Sequence, residues 1–259
     1  MSEKKARTSK KETISDYLIA GVKPLVWKLY PVLKIDDTGS EEPEGFYAKL
    51  FINSPDEGTL DPDVIAPVIS GGARGAKLTL WQFDRIKELF ELCKANAREL
   101  PAVLLKLPWK AFEASAAKKE YEKFILSLDE ESASKICFLL PPDLLFLEKE
   151  KADKLLKSAR QKGIKIGITG YGEEYFPFLR ITEINVDYVF FDPRFSEAVS
   201  RKMTAETSLA KMATDLGLKT VAMLWNGERF AEVTEISDDY PSVFYVRGAG
   251  FDLKQVSER

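Results

Sequence analysis

Leu29-Tyr30-Pro31-Val32-Leu33-Lys34-Ile35 and Gly45-Phe46-Tyr47-Ala48-Lys49-Leu50-Phe51-Ile52 are two strand-like runs joined by the turn-rich link Asp36-Asp37-Thr38-Gly39-Ser40. A parallel crossover needs roughly a dozen residues or more, so a link this short predicts an antiparallel hairpin. Beyond the hairpin the pattern changes. Short apolar runs recur at Ala102 to Leu107, Lys135 to Leu140, Lys165 to Thr169, Tyr188 to Asp192, Thr220 to Leu224 and Ser242 to Arg247. Helical patterns lie between them, near 113–127, 143–162, 172–182, 196–216 and 227–236. Buried strands alternating with amphipathic helices predict a parallel sheet, and about eight strands in a chain of this length predict its closure. The expected fold is an α/β, TIM-like (βα)8 barrel whose first strand runs antiparallel to its neighbours.

The flanks add little to this. Residues 1–12 hold Lys4, Lys5, Arg7, Lys10 and Lys11 with almost nothing apolar. Such a segment cannot bury enough surface to offset the entropy of ordering it, and a disordered basic tail is expected. Ile14, Tyr17, Leu18 and Val22 suggest a short helix ending near Gly21 and Pro24. Before the second helical face, marked by Leu80, Phe83, Ile86, Leu89, Phe90 and Cys93, Asp61-Pro62-Asp63 has the N-cap and first-turn proline of a helix start. Gly71-Gly72-Ala73-Arg74-Gly75 reads as a turn between these two helices, because its glycines lack the order of a phosphate loop. With no repeat or linker in evidence, residues 13–259 are expected to form a single domain.

Composition excludes several classes. A net charge of −3 and a sequence pI near 5.4 give no electrostatic footprint for nucleic acid. The chain has no histidine, which removes the usual triad base and the commonest zinc ligand. Cys93 and Cys137 sit in apolar stretches without metal-ligand spacing, as expected of core thiols in a reducing compartment. No signal-like or membrane-spanning run is evident, so a cytoplasmic location without membrane contact is expected.

Several ordered segments resemble those of the EAL domain family, bacterial phosphodiesterases that hydrolyse cyclic di-GMP. Gly45-Phe46-Tyr47-Ala48-Lys49-Leu50 is similar to the Gly-Phe-Glu-Ala-Leu segment, and Leu60-Asp61-Pro62-Asp63-Val64-Ile65-Ala66-Pro67 to the turn and helix after it. Gly163 to Tyr175 resembles the strand and paired-aspartate loop, Val186 to Phe195 the Lys-Ile-Asp strand end, and Gly217 to Ala222 the strand leading to a late glutamate.

In that family, oxygen ligands at the C-terminal strand ends hold hard divalent cations that generate a hydroxide and stabilise charge on phosphorus. Carried over position by position, the resemblance implies that this machinery is lost. Tyr47 stands for the ligand Glu, Phe51 for the following Arg, Lys106 for the Asn and Leu139 for the next Glu. Thr169 and Gly170 replace the two Asp, Phe190 the Lys and Met223 the late Glu, while Asp192 alone is retained. The resemblance therefore implies an inactive, cofactor-free regulator acting on an unknown protein partner, with a homodimer as a further expectation and a non-hydrolysing cyclic di-GMP receptor as the alternative.

Two accounts of the large side chains stay open at this stage. Tyr47, Phe51, Leu139, Phe190, Met223 and Trp225 either fill a former cavity or line an apolar binding surface. Lys106 is expected to point into the mouth, buried, with Asp192 as its ion-pair partner. Glu173 and Glu174 are expected to be solvated loop charges.

Overall fold

The computed structural model describes residues 25–35, 41–54, 58–60, 72–112, 115–173, 176–192, 194–196, 204–222, 243–246 and 251–258. β1 (Leu25–Ile35) and β2 (Glu41–Ser54) form the expected antiparallel hairpin, with Leu29 opposite Ala48 and Val32 opposite Gly45. A short β3 (Gly58–Leu60) folds back along the end of β2. There follow α1 (Gly72–Ala95), β4 (Val103–Lys106), α2 (Ser115–Ser127), α3 (Glu130–Ser134), β5 (Ile136–Leu140), α4 (Lys149–Gln161) and β6 (Lys165–Tyr171). The chain ends with β7 (Tyr188–Phe191), α5 (Thr204–Asp215), β8 (Lys219–Ala222), β9 (Val243–Val246) and α6 (Leu253–Ser257).

From β2 the strands pair in parallel through β4, β5, β6, β7, β8 and β9. β1 closes the ring by pairing antiparallel with both β2 and β9. All of the nine-stranded sheet except β3 thus forms a barrel, as the hairpin and the alternation predict.

Strand periodicity divides the core in two, because successive side chains point to opposite faces. Ala48, Val103, Leu105, Phe138, Leu140, Ile166, Ile168 and Val189 face outward and pack with Phe83, Ile86 and Leu89 of α1 and Leu156 of α4. The alternate positions Val32, Tyr47, Leu104, Cys137, Leu139, Phe190 and Val221 face inward as a separate cluster. Both cysteines are free and buried, Cys93 on the core face of α1 and Cys137 inside the barrel, in keeping with the core reading.

The helices differ from expectation where local chemistry interrupts a periodic pattern. Gly72 to Gly75 are not an interhelical turn but the first turn of α1. Burial of Ala76, Leu78, Phe83, Ile86, Leu89 and Phe90 along this helix outweighs the roughly 1 kcal/mol that each interior glycine costs. The 143–162 segment is a 3-10 turn, Pro142–Phe146, followed by α4, with Leu147 and Glu148 extended between them. Among the described residues of the 172–182 segment, Phe178–Thr182 is helical, and it is 3-10. Gly170 and Gly172 adopt φ of +79° and +90°, and Pro177 has no N–H to extend the ladder.

Two short helices escape the periodicity altogether, yet both carry a cap. Asp129 accepts from the Ser132 N–H at the start of α3, and Asp252 and Gln255 form a reciprocal capping box at α6. The expected tail at 1–12, the helix before Pro24, the helix opening at Asp61 and that at 227–236 lie outside the described residues.

Gly45 sets how closely β2 approaches the chain entering β4. A Cβ at this position would lie 2.6 Å from the Ala102 carbonyl oxygen, which accepts a 2.7 Å bond from the Phe46 N–H. Gly45→Ala must therefore push two paired backbones apart. It is expected to lower the unfolding free energy by about 1–3 kcal/mol, measured by chemical denaturation.

Candidate functional site

The parallel strands place Lys106, Leu139, Thr169, Gly170, Phe190 and Asp192 at or just beyond the C-terminal end of the barrel, and the antiparallel β1 leaves the second half of β2 at the same rim. Tyr47, Leu139 and Phe190 come together below this rim in the inward cluster, each 1% exposed. The Tyr47 and Phe190 rings lie 6.0 Å apart at 38°. Gly167 makes room for Leu139, whose Cδ2 would be 2.6 Å from a Cβ there. Of the two accounts of these side chains, filling of the interior is what the packing displays for Tyr47, Leu139 and Phe190.

Phe51 stands higher, half-buried, with its ring 6.4 Å from that of Tyr30. Met223 and Trp225 lie outside the described residues.

Periodicity also brings in a residue that the motif comparison overlooks. Lys49, two positions after Tyr47, shares its face and is only 8% exposed, with its ammonium 5.4 Å from the Phe51 ring centroid. The β2–β4 register aligns Tyr47 with Leu104 and Ala48 with Leu105, so Lys49 lies on β2 just past the last of these pairs. The period-2 pattern from Tyr47 could have identified this lysine in the sequence.

One polar residue of the mouth departs from expectation. Lys106 is exposed rather than buried, because β4 ends there and the long side chain carries its charge to solvent. The Asp192 Oδ1 accepts from the Arg194 N–H at 2.8 Å, and its carbonyl accepts from the Ser196 N–H at 2.8 Å. It caps the short helical turn at 194–196. Thr169 is also turned to the backbone, donating to the Leu140 carbonyl at 3.3 Å.

Glu173 is exposed, as expected of a solvated loop charge, and folds back over the turn. Its Oε1 lies 2.6 Å from where a Cβ on Gly170 would be, so the carboxylate covers the glycine itself. Partial burial raises its pKa first, the nearby Asp192 raises it further, and Lys106 pulls it back. The side chain of Glu174 lies outside the described residues.

A separate depression of about 540 Å³ opens at the opposite end, where β6, β7 and β8 begin. It is lined in part by Lys165, Asp187, Tyr188, Leu216 and Lys219. Its lysines are already paired, Lys165 with Asp187 at 3.5 Å and Lys219 with Glu44 at 2.9 Å.

The closed barrel with one antiparallel strand, and the strand-end positions gathered at its mouth, define a class that comparison with known proteins makes specific. A family model described as EAL domain matches residues 30–224. The chain belongs to the EAL domain family. No curated protein matches it. Among solved structures it is similar to the EAL enzyme Bd1971 with cAMP and cyclic di-GMP bound, with a TM-score of 0.78, 14% identity, and coverage of 99% of this chain and 69% of that one. It is also similar to the PaMucR phosphodiesterase in complex with c-di-GMP, with a TM-score of 0.76, 16% identity, and coverage of 95% and 99%. A third neighbour is the apo S helix-GGDEF-EAL portion of Vibrio cholerae LapD, with a TM-score of 0.70, 12% identity, and coverage of 93% and 56%. At these identities the likeness establishes the fold.

The described residues do not fit the divalent cation that the family resemblance implies. Tyr47, Leu139 and Phe190 offer packed apolar surface at three of the matched positions, and Gly170 offers no side chain. Among the described residues, no group of three or more Asp, Glu, Cys or His side chains converges. No helix of the described residues is long and apolar enough to cross a membrane.

Two measurements check this description. Tyr47→Glu would place a carboxylate in the apolar cluster, where desolvation raises its pKa above the unfolded value. The variant's loss of stability should therefore grow with pH through the acidic range and reach about 3 kcal/mol or more at neutral pH, followed by denaturation at several pH values. Glu173→Gln should do the opposite. With the folded pKa of Glu173 raised, the wild type is unpenalised at acid pH and loses stability as pH rises through that pKa. The variant should melt higher than wild type at neutral pH and alike at acid pH.

Proposed function

We propose that this chain is a noncatalytic EAL domain protein that acts in bacterial cyclic di-GMP signalling, in the cytoplasm, by binding another protein. The observation that carries this reading is the joint burial of Tyr47, Leu139 and Phe190 in one apolar cluster. These are positions at which the resemblance places two metal ligands and a lysine. Hydrolysis of a phosphodiester by a metal-bound hydroxide needs several oxygen donors converging on an open coordination site. Aromatic and aliphatic side chains neither coordinate a hard cation nor lower the pKa of a water.

The barrel is retained around this filled interior, which favours a role for its outer surface. PaMucR and Bd1971 are described with cyclic di-GMP bound, and that ligand frames the alternative. In a non-hydrolysing receptor, Lys49 and Lys106 would be the cations that meet a phosphate. Against this, the acidic Glu173 is near enough for Lys106 to act on its pKa, and an aromatic ring stands at Phe51 in place of a guanidinium.

Calorimetric titration with cyclic di-GMP, with manganese and again with chelator, separates the two readings. The partner-binding reading predicts no saturable heat in either buffer. Micromolar or tighter binding would overturn it and make the protein a receptor. In that case Lys106→Ala should weaken binding by about tenfold or more, the loss of one charge-assisted contact.

A further inference from the structure

The depression at the base of the barrel has walls fixed by backbone hydrogen bonds. One wall is the end of α5, where the Leu218 N–H donates to the Ala213 carbonyl at 3.1 Å and the Gly217 N–H to the Thr214 carbonyl at 2.8 Å. This pair of bonds, with Gly217 at φ of +76°, is the Schellman stop of a helix, and it holds Leu216 in place on the lining. A second part of the lining is the chain entering β7. There the Arg160 Nη2 donates to the Asn185 carbonyl at 2.7 Å, and the Asp187 N–H to the Ile166 carbonyl at 2.6 Å. The Lys219 N–H donates to the Asp187 carbonyl at 3.1 Å and ties the starts of β7 and β8 together. The cavity is therefore preformed, and its volume of about 540 Å³ lies in the range of sites for small organic ligands.

The lining has an apolar part and a charged part. Leu216 is large and apolar yet 46% exposed, and Ile181, Ile184 and Val186 contribute further apolar surface. The charged residues are Lys165, Asp187 and Lys219, two lysines against one aspartate. Two of the three are committed elsewhere. Lys219 donates to the Glu44 carboxylate at 2.9 Å, and the Asp187 Oδ2 accepts from the Ile166 N–H at 2.8 Å. Lys165 is held more loosely, 3.5 Å from the Asp187 Oδ1 with its side chain 53% exposed. An ammonium carries three donors, so one long contact leaves capacity for an anion.

We infer that this depression is a binding site for a small organic monoanion, whose acid group meets the Lys165 ammonium and whose apolar body lies against Leu216. The Asp187 carboxylate beside Lys165 works against a second negative charge on the ligand, which favours a monoanion over a phosphate dianion. Strand starts in barrels of this kind serve stability rather than chemistry, so the role is binding and not catalysis. The inference stands apart from the noncatalytic reading, because the site lies at the opposite end of the barrel from the mouth.

The probe is anilinonaphthalene sulfonate, an aromatic body with one acid group, followed by its fluorescence on binding to the purified chain. Wild type should bind about one equivalent with a Kd on the order of 10–100 µM. Phenylnaphthylamine, the same rings without the sulfonate, should bind at least about tenfold more weakly, a comparison that needs no variant. Lys165→Gln should weaken the sulfonate dye by about tenfold, while Lys165→Arg keeps its affinity. Leu216→Ser should weaken it by a similar factor, through lost apolar contact. Lys123→Gln, at a 78% exposed side chain on α2, should leave it unchanged. Octanoate should displace the dye, and inorganic phosphate at the same concentration should not. Circular dichroism establishes that each variant is folded, which the exposure of Lys165 and Leu216 favours. Absence of saturable binding, equal affinity for the uncharged dye, full affinity in Lys165→Gln or Leu216→Ser, an equal loss in Lys123→Gln, or displacement by phosphate would each overturn the inference.

Discussion

Desolvation at the mouth of the barrel is the constraint on which the rest depends. Seven parallel strands and one antiparallel strand converge there, and the inward side chains below the rim are withdrawn from water. Charged groups in such a place need opposite charges close by, since an uncompensated buried ion costs several kcal/mol. This chain meets the constraint below the rim, where Tyr47, Leu139 and Phe190 fill the space with apolar side chains, each worth about 1.5–3 kcal/mol of burial.

The same packing works against single substitutions toward an acidic site. An aspartate at Gly170 would require a Cβ in the space of the Glu173 carboxylate, on a backbone with φ of +79° that side chains other than glycine rarely adopt. A glutamate at Tyr47 would face Leu104 and Phe190 within the same apolar cluster. Backbone conformation and interior packing are thus consistent with each other.

The barrel was legible because its signals are periodic. The short link Asp36 to Ser40 forces a hairpin, and the apolar runs from Ala102 onward mark β4 to β9 to within a residue or two at most ends. Tyr47, Leu139 and Phe190 could be assigned to the interior for the same reason, since alternation fixes their face. What the sequence concealed depends on neighbours distant along the chain. Lys106 was expected to be buried because its face points inward, but its position on the last turn of a strand lets the side chain reach solvent. The bond from the Arg194 N–H to the Asp192 carboxylate likewise depends on a turn that no periodic pattern announces. The glycines at 170 and 172 broke an apparent helix, and nothing local distinguishes them from the tolerated glycines at the start of α1.

The central claim is that this family member does not hydrolyse cyclic di-GMP. Its most direct test is chromatographic detection of the linear dinucleotide after prolonged incubation of the purified protein with cyclic di-GMP and excess manganese. The filled interior predicts no product above a protein-free control. Linear product formed in proportion to protein, and abolished by chelator, would contradict the account.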